Sequence, residues 1–177
     1  LDPNPILILE HKGLYWSKIP GTENAKTIEP DENYILPIGK ACKVIEAEEK
    51  HEKSGESLVI ITYGRGVYWS LEASKYFAGK IEILDLRTLS PLDEDQILKS
   101  VKKHGKSLIV TEEPSSASFS LGIAGLIQEN CFEFLDAPVK IIGSENTPAI
   151  PLNENLEFTY LPNASKVQKA ISTLLEY

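Results

Sequence analysis

Residues 80–93, KIEILDLRTLSPLD, decide the fold. Ile81, Ile83, Leu84 and Leu86 form a short apolar run bounded by turn residues, which reads as a buried strand. Arg87 opens a loop, Ser90-Pro91 makes a turn, and a helix start follows directly. Asp93 is the expected N-cap, Gln96 sits at the reciprocal N3 position of a capping box, and Leu92 with Ile97 can form a hydrophobic staple. Gly105, after Lys102 and Lys103, ends the helix with suitable chemistry. Strand, loop and amphipathic helix make one βα unit.

The pattern repeats on both sides. Residues 57–63, SLVIITY, are rich in β-branched side chains and read as a strand. Gly64-Arg65-Gly66 follows, and a stripe at Val67, Leu71, Ser74 and Ala78 marks a helix. Residues 107–111, SLIVT, give a third strand that ends at Glu112-Glu113-Pro114. A polar loop over 115–120 then leads to a helix over 121–130. Residues 139–142 give a fourth strand. Ser165 and Gln168 suggest a capping box opening a last helix, with Val167, Ala170, Ile171, Leu174 and Leu175 on one face. Four strands alternating with helices predict an α/β fold: three layers, α/β/α, around a mostly parallel sheet joined by right-handed crossovers.

Before this core, residues 5–10 (PILILE) are wholly apolar up to their last position and read as a central strand. Residues 18–37 carry three prolines and little periodicity, the character of a linker. Residues 38–45 suit a short strand or edge segment. Residues 47–56, AEEKHEKSGE, are charged almost throughout and read as a solvated hairpin or loop.

The chain has 177 residues, 42% hydrophobic and 25% charged, with a formal net charge of -8 and two arginines, Arg65 and Arg87. An acidic chain lacks the basic face that nucleic acid requires, and it suits a basic protein partner. Cys42 and Cys131 have no metal-ligand spacing and read as reduced small hydrophobes of a cytosolic protein. No apolar run approaches the roughly 18 residues of a membrane span. The absence of methionine and the opening on LDPNP lead to the expectation that this is a piece of a longer polypeptide.

Candidate chemistry resolves into structural roles. Gly64-x-Gly66, with Asp85 at the end of the next strand, invites a dinucleotide reading, but Trp69 stands where the third glycine belongs. A tight turn explains the glycines. Glu112 and Glu113 are adjacent on a strand, so they point to opposite sides and cannot flank one reacting atom. His51 has no second ligand at metal spacing, and no serine or cysteine elbow accompanies His11 or His104. His104 is expected as a solvated cation at a helix C-terminus.

Taken in order, DPNPILILEHKGLY, PIGKA, the strand ending TYG, DLRTLSPLD, KSVKKHGKSLIVTEEP, CFEFLDAPVKIIG and TYLP resemble the β-subunit of thiamine-diphosphate-dependent 2-oxo acid dehydrogenases. These are the first components of the pyruvate and branched-chain (2-oxoisovalerate) dehydrogenase complexes. The resemblance implies that residues 1–37 are the end of a pyrimidine-binding domain with its linker, and that residues 38–177 are a transketolase C-terminal domain. It implies a parent enzyme that decarboxylates a 2-oxo acid on thiamine diphosphate with magnesium and passes the acyl group to a lipoyl group. The family's magnesium-diphosphate motif and its cofactor-activating glutamate are absent from this sequence, so no catalytic or cofactor-binding residue is assigned.

Two family sites fall on matching positions. The Asp-x-Asn-Pro segment implies a potassium site involving Asp2 and Asn4. The L-[DE]-A-P motif and the C-terminal residue imply contact of Asp136 and Tyr177 with the basic subunit-binding domain of the acyltransferase. An α-subunit and a second β copy, forming a homodimer, are the other implied partners. The line TEEPSSASFSLG departs from the family, with Thr111 for a usual histidine and Ala117-Ser118 for paired glycines; Trp16 replaces an arginine. EHKGLY leans toward branched-chain members. A transketolase-like or deoxyxylulose-phosphate-synthase-like transferase domain, and a stand-alone α/β interaction module, stay open at this point.

Overall fold

A computed structural model describes residues 4–5, 7–16 and 19–177. Two short helical segments precede the sheet, α1 (Lys12–Tyr15) and a 3₁₀ turn at Glu23–Ala25. Between and around them the chain runs without sheet pairing. Leu7, Ile8 and Leu9 are 86%, 79% and 88% exposed, and among the described residues of 5–10 the expected strand is not formed. Apolar, extended sequence makes a strand only where a neighbour supplies backbone partners and covers its side chains.

The core is a five-stranded sheet in the order β1-β3-β2-β4-β5, built from β1 (Cys42–Ile45), β2 (Leu58–Thr62), β3 (Ile81–Asp85), β4 (Ser107–Pro114) and β5 (Lys140–Ser144). β2 through β5 are parallel, and β1 pairs antiparallel along the β3 edge. Register aligns Ile60 with Ile83 on one side and Leu108 on the other. Alternation then sorts the side chains. Leu58, Ile60, Ile81, Ile83, Leu108 and Val110 pack against α3 (Arg65–Ser74) and α7 (Ala164–Leu175). Val59, Ile61, Leu84 and Ile109 face α4 (Glu94–His104) and α5 (Phe119–Cys131) on the other side. Strands buried on both faces explain why the sequence reads as continuous apolar runs rather than alternation. The expected three-layer α/β/α architecture is what forms.

The deciding stretch behaves as read, with one difference. Asp93 caps α4 by accepting from Gln96 N at 3.4 Å, and Gly105 closes it at φ 67°. Ser90-Pro91 is cis. The capping box does not close: Gln96 Nε2 donates to Ser100 Oγ at 3.0 Å, while the second carboxylate oxygen of Asp93 accepts from Ala41 N at 3.0 Å. Asp93 therefore ties the start of α4 to the segment entering β1.

Two further expectations are corrected, and one helix is added. The charged stretch over 47–56 contains a short helix, α2 (Glu49–Lys53), rather than a hairpin. Lys53–Glu49 and Lys50–Glu48 pairs offset its charge density. The last helix is capped by Asn163, which accepts from Lys166 N at 3.0 Å, so Ser165 lies within the first turn and makes no capping box. A further helix, α6 (Glu154–Tyr160), was unread in the sequence; Asn153 caps it, and Lys166 Nζ satisfies its closing carbonyls at Thr159 and Leu161. Among the described residues, no helix is long and apolar enough to cross a membrane.

Candidate functional site

At the C-terminal pole of the parallel strands, α3 and α5 leave for opposite faces, so the crevice between β2 and β4 is where such sheets place ligands. Here the reactive groups are already engaged. Glu112 lies 2.7 Å from His11 Nε2 through one oxygen and 3.5 Å from Arg65 Nη1 through the other. Arg65 in turn lies 4.9 Å above the Trp69 ring. Glu113 turns the other way and accepts from Phe119 N and Ser120 N at 3.3 and 2.9 Å, at the positive end of α5. The two carboxylates diverge, as their adjacency on a strand requires.

A cleft of about 670 Å³ lies beside them, lined by Leu9, Glu10, His11, Tyr63, Asp85 and Arg87 among others. Burial, then the neighbouring Glu113, push the Tyr63 phenol well above its ordinary range, which keeps it a neutral donor. Burial also raises Asp85, against the pull of the Arg87 N–H at 3.1 Å. The donor set does not fit a diphosphate: Glu10 and Asp85 bring carboxylates where phosphate needs N–H groups, and the cation Arg65 is held by Glu112. Gly64 takes φ 58° in the turn, and a Cβ at Gly66 would meet Thr62 Oγ1 at 2.2 Å and the Val110 carbonyl at 2.9 Å. Gly64 is explained by its positive φ in the turn and Gly66 by the packing of α3 on the sheet.

A serine, a histidine and a glutamate do converge elsewhere. Ser57 Oγ lies 2.7 Å from His104 Nδ1, and His104 Nε2 lies 3.3 Å from Glu82 Oε2. The order imitates a hydrolytic triad, yet all three side chains are buried, so a substrate cannot reach the hydroxyl. Glu82 also accepts from Ser100 and holds Lys43 and Lys103 at 3.2 and 3.5 Å. Burial alone would raise its pKa, but His104, Ser100 and Lys43 outweigh that and hold it at about 2. His104 is thus a buried structural group, not the solvated cation expected. One signal was present in the sequence: a glutamate inside the apolar run of β3 must find partners.

The opposite pole, where the parallel strands begin, carries Asp136 and Tyr177, the two partner-binding residues implied by the resemblance. Glu145 N donates to Tyr160 O at 3.2 Å, which returns the chain to the end of β5 shortly before α7 begins. α7 then runs back beside α3 and ends, with Tyr177 66% exposed, at the strand-start pole. Asp136 lies at that same pole. Its N–H donates to Gly105 O at 2.8 Å, and its carboxylate overlies Gly105, so that a Cβ there would come within 2.2 Å of Oδ2. Ala137 beside it is buried in the cluster that holds Leu174 of α7. The Asp136 carboxylate is exposed, and among the described residues no cation lies within 4 Å and no backbone N–H is capped by it. Asp2 lies outside the described residues, and Asn4 is exposed at a bend. Among the described residues, no group of three or more His, Cys, Asp or Glu could hold a metal ion.

Comparison with known proteins agrees with this fold. The family model for the transketolase C-terminal domain matches residues 47–167. The chain is 34% identical over 179 residues to a 2-oxoisovalerate dehydrogenase subunit beta of Bacillus subtilis, covering 99% of this chain and 50% of that protein. It is 35% identical over 173 residues to a pyruvate dehydrogenase E1 component subunit beta of Rickettsia bellii, covering 96% and 48%. A solved split-gene transketolase, described as an inactive beta4 tetramer, shares the fold with a TM-score of 0.64 at 18% identity over 82% of this chain and 44% of that one. The chain spans about half the length of the curated relatives it matches. From β2 into α7 the family match runs through every parallel strand described above, and the chain belongs to the transketolase C-terminal domain family.

Proposed function

We propose that this chain is the assembly and docking part of a 2-oxo acid dehydrogenase first component. In this reading the parent enzyme decarboxylates pyruvate or a branched-chain 2-oxo acid on thiamine diphosphate with magnesium and transfers the acyl group to a lipoyl group. Residues 1–37 are the end of the preceding pyrimidine-binding domain with its linker, and residues 38–177 are the docking domain, which pairs with a second copy and an α part in the cytoplasm. The names of the relatives support the enzyme class. The engaged carboxylates at the cleft, and the burial of Ser57, His104 and Glu82, support chemistry located in other polypeptide.

The observation that carries the docking role is the unpaired, exposed Asp136 carboxylate at the pole where α7 delivers Tyr177. A carboxylate left in water is ready to pair with arginine or lysine, which orients a partner and speeds encounter. Titration calorimetry with a basic acyltransferase subunit-binding domain tests it. Asp136→Ala should weaken binding by about 1–3 kcal/mol and reduce its salt dependence. Unchanged affinity would refute the assignment.

A further inference from the structure

Beside Asp136 the chain leaves two aromatic rings in water. Phe132 is 69% exposed and Phe134 47% exposed, at either end of the 3₁₀ turn Phe132–Phe134 that follows α5. They line, with Glu129, Asn130 and Glu133, an open recess of about 480 Å³. Glu129, Glu133 and Asp136 are all exposed, and among the described residues none has a cation within 4 Å. The face is not uniformly acidic: Lys102 Nζ lies 5.2 Å from the Phe134 ring, off the end of α4. That contact shows the ring face already taking a cation.

We infer that Phe132 and Phe134 are the apolar anchors of the docking surface, and that its occupant is a basic protein domain presenting lysine or arginine side chains beside aliphatic ones. The inference rests on the proposed docking role of Asp136 and adds the apolar residues of the same surface. Three free carboxylates beside two rings match such a partner in charge. Carboxylates at a wet rim steer and orient, while buried aromatic anchors at the centre carry the binding energy. The aliphatic stem of a lysine or arginine covers a phenylalanine ring while its head reaches a neighbouring carboxylate.

Calorimetry and sedimentation on the full chain, with a basic acyltransferase subunit-binding domain as probe, separate the possibilities. Phe132→Ala and Phe134→Ala remove exposed atoms, so each variant should fold and melt as the parent does. Each should bind about tenfold more weakly with the salt slope unchanged, whereas Asp136→Ala should lower that slope. Phenylalanine variants that bind within twofold of the parent, while Asp136→Ala binds weakly, overturn the anchors and leave the docking role standing. No binding by the parent chain overturns both. Loss of a dimer in the phenylalanine variants, with probe binding intact, assigns the rings to self-association and overturns the inference.

Discussion

Glu82 gives the sharpest test of how the fold is held. Its carboxylate is 0% exposed in the middle of β3, where an unpaired charge is very costly. It persists because His104, Ser100, Lys43 and Lys103 surround it. The group's folded pKa is depressed from the ordinary 4.5 to about 2. A depressed carboxylate pKa contributes stability that is fully present above the unfolded value and is lost as pH falls toward the folded one. At about 1.4 kcal/mol per pH unit, the interval from 4.5 to about 2 corresponds to about 3 kcal/mol. Glu82→Gln keeps the shape and removes the charge. Urea unfolding of parent and variant should differ by about 3 kcal/mol at pH 7 and by between about 1 and 2 at pH 3. The comparison cancels other carboxylates, which titrate in both proteins. A difference that stays constant from pH 7 to pH 3 would refute the claim that ionic pairing, rather than packing, holds Glu82 in the sheet.

Other consequences are more local. Asp93→Ala removes the α4 cap and the acceptor for Ala41 N, so it should cost on the order of 1–2 kcal/mol in urea unfolding and loosen β1 in hydrogen exchange. Gly105→Ala places a Cβ at φ 67° against the Asp136 carboxylate, so it should destabilise by about 1–3 kcal/mol and weaken partner binding together. If the bond-breaking groups lie in other polypeptide, this chain with thiamine diphosphate, magnesium and either pyruvate or 2-oxoisovalerate should release no carbon dioxide; turnover would contradict the proposed division of labour.

What the sequence disclosed followed from how local each signal was. Residues 80–93 carry strand, turn and cap within fourteen positions, and the structure reproduces all three together with the αL glycine at Gly105. Ser165 looked like a cap because Gln168 stood three residues on, but Asn163 is two residues earlier and is the better placed acceptor. PILILE failed as a strand because apolarity reports a need for burial and not its supply. The pairing of Glu82 with His104, 22 residues on, and of His11 with Glu112 depends on which strand lies beside which. Periodicity along one segment contains no such information. Asp136 and Tyr177 were reached by resemblance, and nothing in local pattern would have put them at one pole.

The two poles differ in how their charged groups are engaged. Where the parallel strands end, the loops carry Glu112, Glu113 and Asp85, and each is taken up in holding the chain: Glu112 binds the N-terminal segment through His11, Glu113 caps α5, and Asp85 fixes the Arg87 loop. Where the strands begin, helix C-termini arrive carrying Lys102, Lys103 and His104, and Lys103 and His104 are drawn inward to Glu82. Among the described residues, the neighbouring Glu129, Glu133 and Asp136 have no cation within 4 Å. Gly105 sits at the junction: the positive φ that lets it end α4 also leaves the bare Cα over which the Asp136 carboxylate lies. The residue that stops the helix and the surface proposed to receive a basic partner are one piece of geometry.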